Sequence, residues 1–334
     1  MPCRSKTAFL AAFASLALAA CGTGATGAIT ARRAGGLARW TPILHLHRPL
    51  DVVVGRSDGS AVVAAAGRLF LLRPSGALTR FAPAYTSPGG EEPYIATREA
   101  GHRGCSYGLN SVYAIRLHNG RGITRISASG RVRRFASITA PGLIDGIAFD
   151  QTGAFGYRLL VTINYGQTTT VDAIDCRGAV TTITSTAPRI EGGIAVAPMT
   201  FGRFGGDLIA PDETGGRVFA ITPRGRSLLV ADSGLPHGND IGVESEAFVP
   251  DNTRAQALLA DRLTPGNRHP GDDVLLGLTY AQLSAAGVRP FDLLVAAEGG
   301  ALTDDIRCGA TSCQVRHVAD GPPEAHAEGH IAFR

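Results

Sequence analysis

The sequence lacks several features that would assign it to a common functional class. Lysine is absent after Lys6, and without Arg4 and Lys6 the chain carries 30 arginines against 28 acidic residues. A balance this even argues against nucleic acid as a partner, and against an anionic membrane surface. There is no His-Glu-x-x-His motif, and we find no phosphate-cradling glycine-rich loop leading into a helix. Long helical patterns are also missing, and beyond the first twenty residues no apolar run is long enough to span a membrane.

The first twenty residues form the most apolar segment. Two positive charges, Arg4 and Lys6, precede a run from Thr7 to Leu18 in which only Thr7 and Ser15 are polar. A basic start, a short apolar core and small residues before a cut predict a secretory signal peptide over residues 1–20. The apolar run is too short to cross about 30 Å of hydrocarbon as a permanent helix.

The residues at the predicted cut, Leu18-Ala19-Ala20-Cys21, resemble the lipobox of bacterial lipoproteins. In those proteins the cysteine is acylated and becomes the mature N-terminus, so the resemblance implies a lipid on Cys21. Several acyl chains, at about 0.8 kcal/mol per buried methylene, hold a protein at a bilayer without a spanning helix. Small residues then predict a flexible tether over residues 21–40. We therefore expect an extracytoplasmic protein anchored to a bacterial membrane.

Four cysteines remain after Cys3 and Cys21 are set aside. An even number of cysteines in an oxidising compartment favours disulfides. Cys308 and Cys313 could close a hairpin turn, which leaves Cys105 to pair with Cys176. A zinc site is the alternative, but no Cys-x-x-Cys or histidine spacing supports it.

A repeated hairpin pattern is the most informative feature of the remaining chain. Four segments contain an alternating or β-branched run, a turn ending in glycine, and a second such run. The turn glycines are Gly76, Gly130, Gly178 and Gly225, spaced by 54, 48 and 47 residues. This period is typical of a β-propeller, in which each blade is a four-stranded sheet.

Further strand patterns upstream of the hairpins complete four strands per period. We therefore predict an all-β fold, a single β-propeller domain over residues 41–334 with six blades of four antiparallel strands; five or seven blades also fit the length. The segment from His326 to Arg334 repeats the inner-strand pattern without a following hairpin. We expect it to close the ring by joining a blade built from residues 51–81, which would remove an open sheet edge.

Acidic residues recur at the start of the predicted inner strands. They are Glu92, Glu191, Glu244 and Glu328, with Asp145 one residue later in the remaining copy. Inner strands line the channel of a propeller, so these carboxylates should converge at one mouth. Crowded carboxylates raise one another's pKa unless a cation lies between them. We therefore predict that these five residues bind one divalent cation, Ca²⁺ or Mg²⁺; alternatively, they only bind backbone amides and fix blade geometry.

One inner strand resembles a known family. The segment Ile144–Gly153 and the Leu-Leu-Val-Thr strand after it are similar to blades of the gluconolactonase/regucalcin-like six-bladed propellers, as is Glu191-Gly-Gly193. The resemblance covers about residues 51–250. It implies a cation at the channel mouth with Glu191 as the glutamate ligand and Asp145 at the position of an asparagine ligand. The chain departs from the family because Ile144 replaces a proline and no Pro-Asn-Gly occurs.

Two functions follow from these patterns. The first is a binding protein, whose propeller holds a small molecule or a protein partner at the cell surface. The second is a metal-dependent hydrolase of lactones or esters, which the resemblance implies because some family members hydrolyse sugar lactones. His237 or His330 could then act as a general base beside a metal-bound water. The missing Pro-Asn-Gly favours the binding protein.

Overall fold

The computed structural model describes residues 36–87, 92–98, 106–238 and 240–334. The predicted signal peptide, Cys21 and Cys105 lie outside these residues. The described chain contains 25 strands, a 3-10 helix (Gly202–Phe204) and one short α-helix, α1 (Tyr280–Ala285). The strands form six sheets, five with four strands and one with five. The prediction of an all-β, six-bladed propeller is therefore confirmed.

Within the described ranges, no helix has the length and apolar character needed to cross a membrane.

Blades 1 to 4 follow one another along the chain, and each is an antiparallel meander. Two strands, β1 (Ala38–Arg39) and β2 (Thr41–His45), precede them and join later blades. Blades 1 and 2 consist of β3 (Pro49–Val53), β4 (Ala61–Ala65), β5 (Arg68–Leu72), β6 (Leu78–Phe81), β7 (Ile95–Thr97), β8 (Val112–Arg116), β9 (Gly122–Ile126) and β10 (Val132–Ser137). Blades 3 and 4 consist of β11 (Leu143–Phe149), β12 (Leu159–Tyr165), β13 (Thr168–Ile174), β14 (Val180–Pro188), β15 (Ala195–Val196), β16 (Leu208–Asp212), β17 (Arg217–Ile221) and β18 (Ser227–Asp232).

The four repeated glycines lie where the pattern predicts, in the outer hairpin of each of these blades. Gly76, Gly130, Gly178 and Gly225 have φ angles of 85°, 80°, 86° and 78°. Each glycine N–H donates to the carbonyl three residues earlier, at 2.8 or 2.9 Å. Glycine recurs here because this tight turn needs a left-handed residue, which a side chain disfavours.

Blades 5 and 6 are built alternately rather than one after the other. The chain continues through β19 (Val243–Phe248), β20 (Gln256–Asp261), β21 (Val274–Thr279), β22 (Leu293–Ala297), β23 (Thr303–Cys308), β24 (Cys313–Asp320) and β25 (Ala327–Phe333). Blade 5 has the order β19-β22-β23-β24-β1, with β1 parallel to β24, and blade 6 has the order β25-β20-β21-β2. The hairpin period is lost after residue 255 because this stretch serves two blades.

The C-terminal strand closes the ring, as expected, but the predicted partner strands were wrong. β25 pairs with β20, with Leu258 opposite Ala332, and the N-terminal β2 forms the outer edge of the same blade. Residues 51–81 lie instead in blade 1, which already has four strands of its own. β1 lies within the range predicted as tether, and the neighbouring Trp40 is buried, with its indole N–H donating to Thr303 Oγ1 at 2.8 Å.

Six apolar clusters hold the blades together, one between each pair of neighbours. Successive side chains of a strand point to opposite faces of the sheet, so one blade can pack against both of its neighbours. In β4, Val62 packs toward blade 2 and Val63 toward blade 6. Each blade, as far as the structure describes it, therefore packs against a neighbour on both of its faces.

The predicted disulfide between Cys308 and Cys313 is confirmed and closes the β23–β24 hairpin. Cys176 is also disulfide-bonded. Its predicted partner, Cys105, lies outside the described residues.

Candidate cation site at the acidic end of the channel

Each of the six inner strands carries an acidic residue near its first residue. We call this end of the channel the acidic mouth. Its six acids lie in these strands or in the residues just before them, and they are Asp51, Glu92, Asp145, Glu191, Glu244 and Glu328. Asp51 was missed by the sequence analysis. It accepts backbone hydrogen bonds from Val52 at 2.8 Å and Ile95 at 2.7 Å, which identifies it as a residue that fixes the position of two inner strands.

Three of the predicted ligands come together. Glu92, Glu244 and Glu328 each place a carboxylate oxygen within 4.8 Å of the others. The buried Tyr94 hydroxyl joins them, because it lies within hydrogen-bond reach of Glu244, of Glu328 at 3.2 Å and of Glu92 at 3.3 Å. Glu244 and Glu328 are buried, whereas the side chain of Glu92 is 34% exposed and faces the solvent side. The three carboxylates therefore form a compact set of oxygen atoms that could coordinate a metal ion.

A second group of interacting side chains, Glu298, His326 and Glu328, has Glu328 in common with the first. His326 Nε2 lies 3.0 Å from Glu298 Oε1 and 3.2 Å from Glu328 Oε1. Arg262 Nη1 lies 3.1 Å from Glu328 and 3.2 Å from Glu92. Arg262 follows β20 and Glu298 follows β22, so the interleaved blades 5 and 6 supply both residues. Two cationic side chains therefore partly neutralise the carboxylates.

The other two predicted ligands lie close by with partners of their own. Asp145 is buried and accepts a hydrogen bond of 2.5 Å from Asn164 Nδ2. Glu191 pairs with Arg189 at 2.6 Å. Neither belongs to the group of three around Tyr94, although the charge of Glu191 still acts on Asp145 and Glu92.

Crowding and burial raise the pKa of Glu92, Asp145 and Glu244, and burial raises that of the neighbouring Glu298. Repulsion from Glu328, together with burial, raises the pKa of Glu92 to about 8. Burial raises the pKa of Glu298 to about 7, and burial with repulsion from Glu328 holds the pKa of Glu244 well above its usual range. Near neutral pH the mouth therefore binds protons that an approaching cation would displace.

His326 is a proton donor in this setting. Burial disfavours its charged ring, but hydrogen bonds to Glu298 and Glu328 outweigh burial and raise its pKa to about 10. The ring is protonated at neutral pH, so it cannot act as a general base there.

A layer of glycines narrows the channel just beyond the acids. A Cβ on Gly193 would lie 2.9 Å from the carbonyl oxygen of Gly329, on an inner strand two blades away. A Cβ on Gly192, which has a φ of 79°, would overlap the side chain and carbonyl of Glu244. These strands approach one another so closely that only glycine fits.

The two histidines proposed as bases lie elsewhere. His330 is buried with Nδ1 3.0 Å from Asp51 Oδ1. His237 Nδ1 lies 3.3 Å from the carbonyl of Leu235. Neither belongs to the two groups around Glu328.

Comparison with known proteins finds distant structural similarity only. No protein-family model and no curated protein matches the chain. Similar solved structures include a virginiamycin B lyase from Staphylococcus aureus, with 13% identity, a TM-score of 0.43, and coverage of 86% of this chain and 97% of that one. A protein of unknown function from Bacteroides thetaiotaomicron has 12% identity and a TM-score of 0.48 over 88% of this chain and 66% of the other. A candidate gluconolactonase has 13% identity and a TM-score of 0.36 over 72% and 92%. These similarities are too distant to carry an argument about family or activity, and the six-bladed architecture rests on the sheet topology of the chain itself.

Proposed function

We propose that the acidic mouth binds one divalent cation, Ca²⁺ or Mg²⁺, and that the cation holds a small ligand entering from the solvent side. The observation that carries this proposal is the group formed by Glu92, Glu244 and Glu328, whose carboxylate oxygens lie within 4.8 Å of one another. Hard divalent cations prefer such oxygen ligands.

The charges of the two groups support the same conclusion. Glu92, Glu244, Glu298 and Glu328 carry four negative charges when ionised, and Arg262 and His326 carry two positive ones. The remainder is two negative charges, which one divalent cation would balance.

Unused ligand atoms support it as well. Glu244 Oε2 and Glu298 Oε2 are buried without a hydrogen-bond partner among the described residues. Buried carboxylate oxygens without partners are costly and call for a ligand, a water or a proton.

Titration calorimetry on the purified protein tests the proposal. Ca²⁺ or Mg²⁺ should bind with one-to-one stoichiometry, and the substitution Glu244→Gln should weaken binding about 100-fold, because it removes a charged ligand. The exposed Glu324→Gln is the matched control and should change nothing. Equal cation affinity in the Glu244→Gln protein would refute the site.

Hydrolysis of lactones or esters is a second candidate, favoured by the pair Glu298 and His326. A bound cation would polarise a substrate carbonyl. Glu298, with a pKa of about 7, would accept a proton from water, and protonated His326 would donate one to the leaving oxygen. Chelator-sensitive turnover of simple lactones, lost in Glu298→Gln, would establish this activity. Absence of turnover with cation bound would leave a binding protein.

We also propose that a lipid on Cys21 anchors the protein outside the cytoplasm. The disulfide between Cys308 and Cys313 supports an oxidising compartment. Metabolic labelling with a fatty-acid probe tests the anchor. Cys21→Ser should abolish the label and release the protein from membranes, whereas continued labelling would place the lipid elsewhere.

A further inference from the structure

A cavity of about 270 Å³ occupies the end of the channel opposite the acidic mouth. All six inner strands line it, through residues that follow the mouth acids along the same strands. One from each blade is Val53, Ala96, Phe149, Val196, Phe248 and Ala332. A strand advances about 3.3 Å per residue, so the cavity lies several ångströms from the acids, beyond the glycine layer.

Glu246 is the acidic residue on this largely apolar wall. It lies two residues after Glu244 on β19, is 1% exposed, and lines the cavity. Neither of its carboxyl oxygens makes an aligned hydrogen bond within the described residues. The backbone amide of Ala195 lies beside the carboxyl, and no ion pair joins it to a basic side chain within the described residues. Buried polar groups are normally satisfied, so a buried carboxyl with a single amide neighbour has capacity for a further donor.

The polar neighbours on the cavity wall do not satisfy Glu246. His330 also lines the cavity, but its Nδ1 and its backbone N–H are both bound to Asp51 Oδ1, at 3.0 and 2.9 Å. Gln151 Oε1 is a further buried acceptor without a partner in the described chain. The wall therefore presents the Glu246 carboxyl, which has only one backbone amide beside it, and the acceptor Gln151 Oε1, and its lining residues include no arginine.

The geometry points to a second binding site in this cavity, for a small organic amine whose ammonium group pairs with Glu246 and whose apolar body fills the channel end. An ammonium group has three donors and no acceptor, so it suits a wall that carries a buried carboxyl, a further acceptor and no arginine. Apolar walls with a few polar groups are typical of small-molecule sites. A divalent cation would find only one carboxylate here, and an anion would meet Glu246 without a compensating charge.

Saturation-transfer NMR with hexan-1-amine as the probe tests the site. The amine should bind the wild-type protein at millimolar concentration, and Glu246→Gln should weaken binding at least tenfold. Hexan-1-ol, of the same length but uncharged at neutral pH, should bind at least tenfold more weakly than the amine. The exposed Glu324→Gln serves as the matched control and should bind the amine normally.

A second variant keeps the test informative if Glu246→Gln fails to fold. Ala148→Leu adds bulk at a half-buried wall position and should also abolish amine binding. Equal binding of amine and alcohol, undiminished binding in Glu246→Gln or Ala148→Leu, or no binding to the wild type would each overturn the proposal. The cation titration tests the acidic mouth separately, so a negative result at one site does not refute the proposal for the other.

Discussion

The two ends of the central channel are built from the same six strands but have opposite chemistry. At the mouth, Glu92, Glu244 and Glu328 crowd within 4.8 Å around a buried tyrosine. At the other end the same strands present mainly valine, alanine, isoleucine and phenylalanine around a single buried glutamate. The difference shows that a residue's position along its inner strand, rather than the blade to which it belongs, determines whether the channel wall there is acidic or apolar.

The layer between the ends keeps these two environments apart. Gly193 and Gly329 bring inner strands two blades apart into close approach, and the Tyr94 ring meets the His330 ring edge-on at 6.4 Å between centroids. Any change that fills or opens this layer should affect both ends together.

The largest effect is expected from Gly192→Ala. The new Cβ would overlap Glu244, and a φ of 79° disfavours a side chain. Overpacking and left-handed strain together should lower the free energy of unfolding by about 3 kcal/mol. Gly76→Ala is the matched control, since its φ is 85° but nothing lies within 4 Å; it should cost only about 1 kcal/mol. Urea unfolding measures both, and equal losses would contradict the close approach at this layer.

The next largest effect is a pH dependence of folding stability, caused by the titrating groups at the acidic mouth. Glu213 is a buried residue directly after β16, and the charge of Glu191, a mouth acid, acts on it. Glu213 and Glu298 have pKa values of about 8 and about 7 in the fold, mainly through burial, against about 4.3 when unfolded. The folded state therefore binds more protons between these values, and stability falls as pH rises from about 5 to about 8. His326, raised to about 10, acts in the same direction above pH 6.5.

Unfolding measured in chelator should thus show a loss of at least about 2 kcal/mol over that range, and a saturating divalent cation should reduce it. Stability that rises with pH in chelator would contradict the crowded, protonated mouth.

A smaller effect is expected from Arg262→Gln. The arginine lies 3.1 Å from Glu328 and 3.2 Å from Glu92, so it competes with a cation for the same oxygens. Its removal should raise cation affinity about tenfold, because nearby like charges repel. Arg254→Gln, at an exposed position, changes the net charge equally and should leave affinity unchanged. A lower affinity in Arg262→Gln would mean that the arginine helps to hold the site together.

Much of this fold follows from local rules visible in the sequence. A glycine with a left-handed conformation closes each outer hairpin of blades 1 to 4, so Gly76, Gly130, Gly178 and Gly225 reveal the period. The alternation of blades 5 and 6 is not local, because β20 and β21 pair with β25 and β2, which are distant in sequence. No short pattern records that exchange, and the predicted partner of the C-terminal strand was wrong for this reason.

The mouth shows the same division. Glu92, Glu244 and Glu328 recur at the start of inner strands, which predicts one shared mouth but not which acids meet, since Asp145 and Glu191 recur in the same way and have other partners. Tyr94 and His326 lie two residues from Glu92 and Glu328, so strand alternation could have found them on the same side. Arg262 and Glu298 lie just beyond strands of the interleaved blades and carry no repeat signal. Their positions depend on the closed ring.

Cation titration by calorimetry, repeated near pH 7.5 in buffers of different ionisation enthalpy, tests the acidic mouth most directly. One divalent cation should bind per chain and release about one proton, because Glu92, with a pKa of about 8, holds a proton in its absence. No binding by Ca²⁺ or Mg²⁺, or binding without proton release, would contradict the account of the mouth as a cation site.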